Sequence, residues 1–311
     1  MTSSSEAMSE TPAMATTTPG ASVRPFFWSV RREIWENRSI YLAPAIAAAV
    51  ALAGIIIASI NPHHAEVHTS RPLPADTLIL IPYGIAIGAI VVTGALVGFF
   101  YCLSALNGER RDRSILFWKS LPVSNLTTVA SKAFVPMVVL PIVVLATVVA
   151  THVITLAVHA AGLAGHGESL APLGDIPFLN VWLSMAWGLF ATSLWWAPTY
   201  GWLLMVSAWA KRMTFLWAVL PPVGVMVFER LAFGTGHFAT IVRDRFNGGI
   251  AAAFQVPQGQ IPAHTTLRHI IDLPSPDPVG FVTSPGLWIG LLVGGGFFAA
   301  AVWLRRRAEP V

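Results

Sequence analysis

The chain has 311 residues, of which 55% are hydrophobic and 11% are charged, against roughly 25% charged in ordinary soluble domains. This composition excludes a soluble globular domain. The net charge of +4 does not indicate nucleic-acid binding, because the basic residues stand at the ends of apolar stretches and not along one polar face. The single cysteine, Cys102, excludes a disulfide within the chain.

The N-terminal region divides into two predicted parts. Residues 1–24, rich in Ser, Thr, Ala and Met, are predicted to be a disordered cytoplasmic tail. Over residues 25–39, Phe26, Phe27, Val30 and Ile34 recur at helical spacing while charges occupy the other faces. This pattern predicts an amphipathic helix lying at the inner membrane surface, with an extension of the first membrane span as the alternative.

Six long apolar stretches follow, and each has about the 20 residues that a helix needs to cross a hydrocarbon core of about 30 Å. They cover residues 40–60, 78–106, 133–161, 181–210, 214–233 and 287–304. The stretch 181–210 is too long for one perpendicular crossing, so we expect it to tilt or to extend into water. The fold class is therefore predicted to be an all-α integral membrane protein with a six-helix transmembrane domain over 40–304.

The loops predict the orientation of these spans. With a cytoplasmic N-terminus, 14 Lys and Arg residues fall on the inner side and 5 on the outer side, as the positive-inside rule requires. We therefore expect a multi-pass protein of the inner (cytoplasmic) membrane with both termini in the cytoplasm. Residues 107–132 form a cytoplasmic loop, 234–284 an outer loop, and 305–311 a short cytoplasmic tail.

Catalytic signatures are missing from the sequence. No Lys follows a Gly, so there is no P-loop, and there is no HExxH metal motif. We predict that the chain is not an enzyme, has no catalytic or metal-binding residues, and binds no cofactor itself. His152 and His159 lie seven residues apart on one face of the third span, where they could ligate haem. Hydrogen-bonded histidines near the outer end of a helix are the favoured interpretation.

Two charges, Glu229 and Arg230, interrupt the fifth apolar stretch near its outer end. Charges at that depth are costly unless they are paired or face water. One interpretation is an ion pair at the mouth of a cavity, with a role in a pathway or in gating. The other is that the helix ends here and Arg230 reaches the membrane surface.

The most specific segment is the cytoplasmic loop 107–124, NGERRDRSILFWKSLPVS, in which mixed charges precede an apolar and aromatic run. Such a segment can form a short surface helix that presents charges and an aromatic anchor to a cytoplasmic partner. Inside-positive anchoring alone explains the arginines, but not so compact a mixture.

This loop closely resembles the one between the second and third spans of permease subunits of ATP-binding cassette (ABC) exporters of the type-2 family. A second segment, 195–212, reads WWAPTYGWLLMVSAWAKR and is also similar to these permeases, as is the position of Glu229. The resemblance extends over nearly the whole order of spans. It implies six membrane helices, an N-terminal elbow helix, and two permease subunits that form one pathway.

The resemblance also implies how such a subunit works. A separate ATPase subunit, which carries ATP and Mg, docks beneath the permease and drives transport through a coupling helix. The partners would be that ATP-binding subunit, a second permease copy or a related permease, and the lipid bilayer, without nucleic acid. The residues that the resemblance assigns to ATPase coupling are Glu109, Arg110, Arg111, Asp112, Arg113, Phe117, Trp118 and Lys119.

Two other classes of function compete with this one. A self-sufficient secondary transporter or channel would need ionisable groups within the membrane and usually a repeated half, and the sequence shows few such groups and no convincing repeat. A membrane-bound haem or metal enzyme would depend on His152 and His159. The transported substrate is beyond the sequence.

Overall fold

A computed structural model of the chain describes residues 23–60, 75–111, 123–165, 167, 169–174, 176–255 and 275–307. Within these residues the regular structure is helical, and β pairing is limited to an isolated antiparallel bridge between Phe254 and Pro276. The prediction of an all-α protein is confirmed for this part of the chain.

The helices follow one another with short connections where both ends are described. They are α1 (Val23–Glu36), α2 (Ser39–Ile60), α3 (Ala75–Ala105), α4 (Asn107–Arg111), α5 (Asn125–Phe134), α6 (Leu140–Gly165), α7 (Ala171–Gly174), α8 (Phe178–Trp195), α9 (Ala197–Trp209), α10 (Thr214–Phe233), α11 (His237–Ala253), α12 (Pro278–Thr283) and α13 (Pro285–Arg307). A π-helical turn, Val135–Val139, joins α5 to α6.

Six segments in the described ranges are long and apolar enough to cross a membrane, with mean hydropathies from 1.2 to 2.7. Their bounds are Ser39–Ser59, Leu80–Arg111, Asn125–Gly165, Phe178–Trp195, Thr214–Phe233 and Pro285–Arg307. The prediction of six apolar helices of spanning length is confirmed, and the chain is a multi-pass membrane protein.

Helix α1 is separate from the first span. It covers most of the predicted 25–39 helix, and Asn37 and Arg38 interrupt the helix before α2 begins at Ser39. Its inner face packs on α5, where the rings of Phe26 and Phe134 meet edge to face at 5.5 Å. Asn37 also donates a hydrogen bond from its side chain to the Glu33 carbonyl at 3.0 Å, so the junction is fixed by local contacts.

The predicted fourth span requires a correction. The sequence 181–210 was expected to form one helix, but the structure has two, α8 and α9, with a break at Trp196. Pro198 lies in the first turn of α9, where its missing N–H costs no helical hydrogen bond. The proline therefore starts a new helix, and α8 alone has the length of a span.

A proline pair also interrupts the hydrogen bonding of α10. Pro222 has no N–H to donate to the carbonyl four residues earlier, at Ala218. The indole Nε1 of Trp202 in α9 donates to that carbonyl at 3.0 Å. A side chain of the neighbouring helix thus satisfies a polar group that the apolar surroundings would otherwise leave unpaired.

Helices α9 and α13 pack against each other along much of their length. A Cβ atom on Gly201 would lie 2.8 Å from the Gly294 carbonyl oxygen, and one on Gly294 would lie 2.9 Å from the carbonyl carbon of Ala197. The two glycines therefore allow a backbone approach that no other residue permits. Gly94 and Gly98 similarly admit Val144 and Leu140 of α6.

Candidate functional site

Four charged side chains from distant parts of the sequence are buried together at one end of the bundle. Glu33, Lys132, Arg305 and Glu109 expose 2%, 2%, 4% and 6% of their surfaces. They belong to α1, α5, α13 and α4, and we refer to them as the ion cluster. Exposed basic residues surround this end, which we call the basic end: Arg31, Arg38, Arg111, Lys211, Arg212, Arg306 and Arg307.

Lys132 stands at the centre of the ion cluster. Its Nζ lies 2.8 Å from Glu33 Oε1 and 3.1 Å from Glu109 Oε1. Arg305 Nη1 donates to Glu109 Oε2, and Tyr101 in α3 donates its hydroxyl proton to Glu33 Oε2 at 2.8 Å. The charges of these four residues sum to zero. A further ion pair adjoins them, because Arg32 Nη2 lies 3.7 Å from Glu109 Oε1 and Arg32 Nε lies 2.7 Å from Glu36 Oε1.

The balance of positive and negative charge determines whether burying these side chains is favourable. Removing a pair of charges from water costs several kcal/mol per ion, and close contacts with good hydrogen bonds offset that cost only while every partner is present. The ion cluster is therefore favourable only when α1, α4, α5 and α13 are all packed together, which fixes one arrangement of the basic end.

Local contacts position the two central members. Ser124 caps α5 by accepting from the Thr127 amide at 3.0 Å, and Lys132 follows in the last turn of that helix. Glu109 lies in the single turn α4, and the preceding amides of Leu106 and Asn107 donate to Ser207 Oγ of α9 at 3.1 and 3.0 Å.

The predicted coupling residues divide into three groups. Glu109 and Arg110 are buried, and Arg110 Nη1 donates to the Ala208 carbonyl at 2.6 Å. They bind within the chain and hold the start of the 107–124 loop, and their part in ATPase coupling stays a prediction. Arg111 is exposed. Five further residues lie outside the described residues: Asp112, Arg113, Phe117, Trp118 and Lys119.

At the opposite end of the bundle, Glu229 and Arg230 bind the backbone. Glu229 accepts from the amides of His237 and Phe238 at 2.7 and 2.8 Å, and so caps the first turn of α11. Arg230 Nη1 donates to the Gly234 carbonyl at 3.0 Å. Of the two interpretations, the end of a helix describes this geometry, since α10 ends at Phe233 and Gly234 adopts a left-handed conformation with φ of 69°.

Arg245 of α11 is a structural residue that the sequence analysis missed. Its Nη1 and Nη2 donate to the carbonyls of Trp195 and Gly286, both at 3.0 Å, and its guanidinium lies 4.6 Å from the Trp195 ring centroid. Gly290 leaves the space for this side chain, because a Cβ there would lie 2.5 Å from Nη1. Burial lowers the pKa of the Arg245 guanidinium, which nevertheless stays charged as arginines do in proteins.

The two histidines of α6 are held by aromatic partners. Trp182 Nε1 donates to His152 Nδ1 at 3.2 Å, and the Tyr83 hydroxyl lies 3.3 Å from His159 Nδ1. This agrees with the favoured interpretation of both as hydrogen-bonded residues. Across the residues that the structure describes, no group of three or more His, Cys, Asp or Glu side chains could hold a metal ion.

The fold and its composition define the class as an all-α multi-pass membrane protein. Comparison of the chain with protein-family models, curated proteins and solved structures finds no match to any of the three. The function is therefore argued from the site and the sequence.

Proposed function

We propose that the chain is the permease subunit of an ABC exporter, driven by a separate ATPase subunit through residues 107–124. The ATPase would carry ATP and Mg, and a second copy of this chain or a related permease would complete the pathway. The resemblance of 107–124 and 195–212 to type-2 permeases motivates the proposal.

The observation that carries the proposal is the rigid attachment of the loop that would receive the force. Glu109 lies two residues into α4, at the start of that loop, and is tied to α5 through Lys132 and to α13 through Arg305. Arg110 is tied to α9 through the Ala208 carbonyl. A push on the loop would consequently reach three helices of the bundle, α5, α9 and α13, at once.

Helices α9 and α13 provide a route for that push to the opposite end. Gly286, at the start of α13, accepts from Arg245, and Arg305, near its end, belongs to the ion cluster. These two positions are about 28 Å apart along a helix. Packed helices of this kind move as rigid elements between discrete arrangements, which is what alternating access requires.

The test is mild purification of the tagged chain from its native membrane, followed by assay of the purified complex. We expect an ATPase subunit with a P-loop to accompany the chain and vanadate to inhibit its ATP hydrolysis. Charge reversal of Arg111 and Arg113 to Glu should reduce the amount of bound ATPase while the chain remains inserted in the membrane.

Arg306→Glu is the matched control, because Arg306 is an exposed arginine at the same end of the bundle but lies outside the loop. It should leave ATPase binding unchanged. Substrate movement by the chain alone, driven by an ion gradient and indifferent to vanadate, would refute the proposal and favour a self-sufficient secondary transporter.

A further inference from the structure

The outer face of α1 combines large aromatic side chains with one arginine. Phe27, Trp28 and Trp35 expose 59%, 58% and 67% of their surfaces, and Arg31 between them is exposed as well. We call these four residues the α1 face. Three neighbouring aromatic rings open to solvent are unusual on a water-facing surface and indicate a surface that something covers.

The orientation of this face is fixed by the rest of α1. Val30 is buried, Phe26 packs on Phe134 of α5, and Glu33 belongs to the ion cluster. Because residues three and four apart share a face of a helix, positions 26, 30 and 33 point inward together while 27, 28, 31 and 35 point outward. Rotation of α1 would break the ion cluster, so the outer face stays exposed.

Two tryptophan rings hold Arg31 in place. Its guanidinium carbon lies 5.0 Å from the Trp28 ring centroid and 4.8 Å from that of Trp35, distances at which a cation is attracted to the ring. Among the described residues it has no carboxylate or carbonyl partner. The neighbouring carboxylate, Glu36, is bound by Arg32 Nε at 2.7 Å.

The bilayer lies next to this face. Only Asn37 and Arg38 separate α1 from α2, the first spanning helix, so α1 meets the membrane at the level of the lipid headgroups. Tryptophan prefers that level because its ring is apolar and its N–H is polar. The planar guanidinium of arginine matches the oxygens of a phosphate with two parallel hydrogen bonds.

We propose that the α1 face is a binding site for an anionic phospholipid of the leaflet at the basic end. Arg31 binds the lipid phosphate, and Trp28 and Trp35 hold its guanidinium by cation–π contacts. Phe27 contacts the upper part of the acyl chains. The inference does not depend on an ATPase partner.

The experiment is native mass spectrometry of the full-length protein released from nanodiscs of equal parts phosphatidylglycerol and phosphatidylcholine. The unmodified protein should retain phosphatidylglycerol preferentially. Arg31→Gln should reduce the retained phosphatidylglycerol by more than about tenfold, because it removes charge-assisted hydrogen bonds to the phosphate in addition to the unspecific attraction of one basic residue. Arg31→Lys keeps the charge but loses the two parallel N–H donors of the guanidinium. Its retention of phosphatidylglycerol should lie between that of the unmodified protein and that of Arg31→Gln.

Arg38→Gln is the matched control, since Arg38 is an exposed arginine of the same junction without a ring contact among the described residues. It should reduce retention by no more than about fivefold, because it removes only unspecific attraction. Equal losses in the two variants, or no loss in Arg31→Gln, would overturn the proposal. Displacement of the lipid by millimolar inorganic phosphate would also overturn it, because the site would then select phosphate and not lipid.

Discussion

The two ends of the bundle stabilise charged side chains in different ways. At the basic end, the carboxylates of Glu33 and Glu109 meet the side-chain cations of Lys132 and Arg305. At the opposite end, the contacts of Arg245 within the described ranges are with backbone carbonyls and an aromatic ring. A backbone dipole carries no net charge, so removal of Arg245 leaves no opposite charge unpaired among these contacts.

This difference predicts unequal sensitivity to substitution. In the ion cluster, removal of one member leaves its partners charged and buried, which costs more than the interaction itself contributed. Around Arg245, removal of the side chain takes one hydrogen bond from each of two carbonyls, and that loss costs less than an unpaired buried charge. Substitutions at the two ends should therefore reduce the stability of the protein by different amounts.

The largest effect is expected for Lys132→Met. It removes the cation that lies between Glu33 and Glu109. Arg305 then remains as the one cation of the ion cluster for its two buried carboxylates. The free energy of unfolding in mixed micelles should fall by about 3–5 kcal/mol. The double variant Glu33→Gln with Lys132→Met restores neutrality, and should recover at least about 1 kcal/mol of that loss.

Lys211→Met is the control for this variant, because Lys211 is exposed in the turn between α9 and α10. It should change the unfolding free energy by no more than about 0.5 kcal/mol. If Lys132→Met were as mild as Lys211→Met, the ion cluster would not hold the basic end together.

The next largest loss of stability is expected at the contact between α9 and α13, the two helices that connect the ends of the bundle. Gly294→Ala places a Cβ atom 2.9 Å from the Ala197 carbonyl carbon, so the two helices must separate, at a cost of about 1–3 kcal/mol. Gly295→Ala, one residue further along α13, has nothing within 4 Å of the added atom. It should be neutral or stabilising by up to about 1 kcal/mol, as alanine is the better helix former.

Equal stability of the two alanine variants would contradict the close approach. A second measurement separates packing from helix propensity: a cysteine cross-linking rate between α9 and α13 should fall in Gly294→Ala and remain unchanged in Gly295→Ala. With both results, loss of stability can be assigned to the distance between the helices.

Arg245→Lys should have a smaller effect than either. Lysine keeps the charge and can reach one carbonyl, but it loses the fork that joins Trp195 to Gly286 and the flat contact with the ring. We expect a loss of about 1 kcal/mol in the unfolding free energy. A loss as large as that of Lys132→Met would show that the opposite end is also held by charge, and the comparison between the ends would fail.

Much of the architecture follows from the sequence. The lengths of the apolar stretches suffice to predict six spanning helices, because a helix that crosses a bilayer needs a minimum length and tolerates few charges. The break at Trp196 was missed because the stretch 181–210 carries no charged residue and hydropathy does not report where a helix stops. Pro198 was the available signal, as proline favours the first turn of a new helix.

The ion cluster could not be predicted in the same way. Lys132 and Arg305 read as inside-positive residues, and Glu109 and Arg110 read as part of a surface loop. Their contacts join residues that are far apart in sequence, 99 positions for Glu33 and Lys132 and 196 for Glu109 and Arg305. No local periodicity in the sequence indicates such a pairing. The number of charged residues is equally consistent with charges that all lie exposed to water at the end of the bundle.

The smallest effect is expected for Glu229→Gln, whose contacts are local. Glutamine keeps one acceptor oxygen, but its amide nitrogen would face the Phe238 N–H that now donates to Glu229 Oε2 at 2.8 Å. The first turn of α11 should therefore open more often, with faster amide exchange at residues 237–240 and no change in α13. Arg230→Gln is the control, since Arg230 binds the Gly234 carbonyl and not α11. If exchange accelerated along α13 as well, Glu229 would act on the whole bundle, and a role in gating would gain support over that of a helix cap.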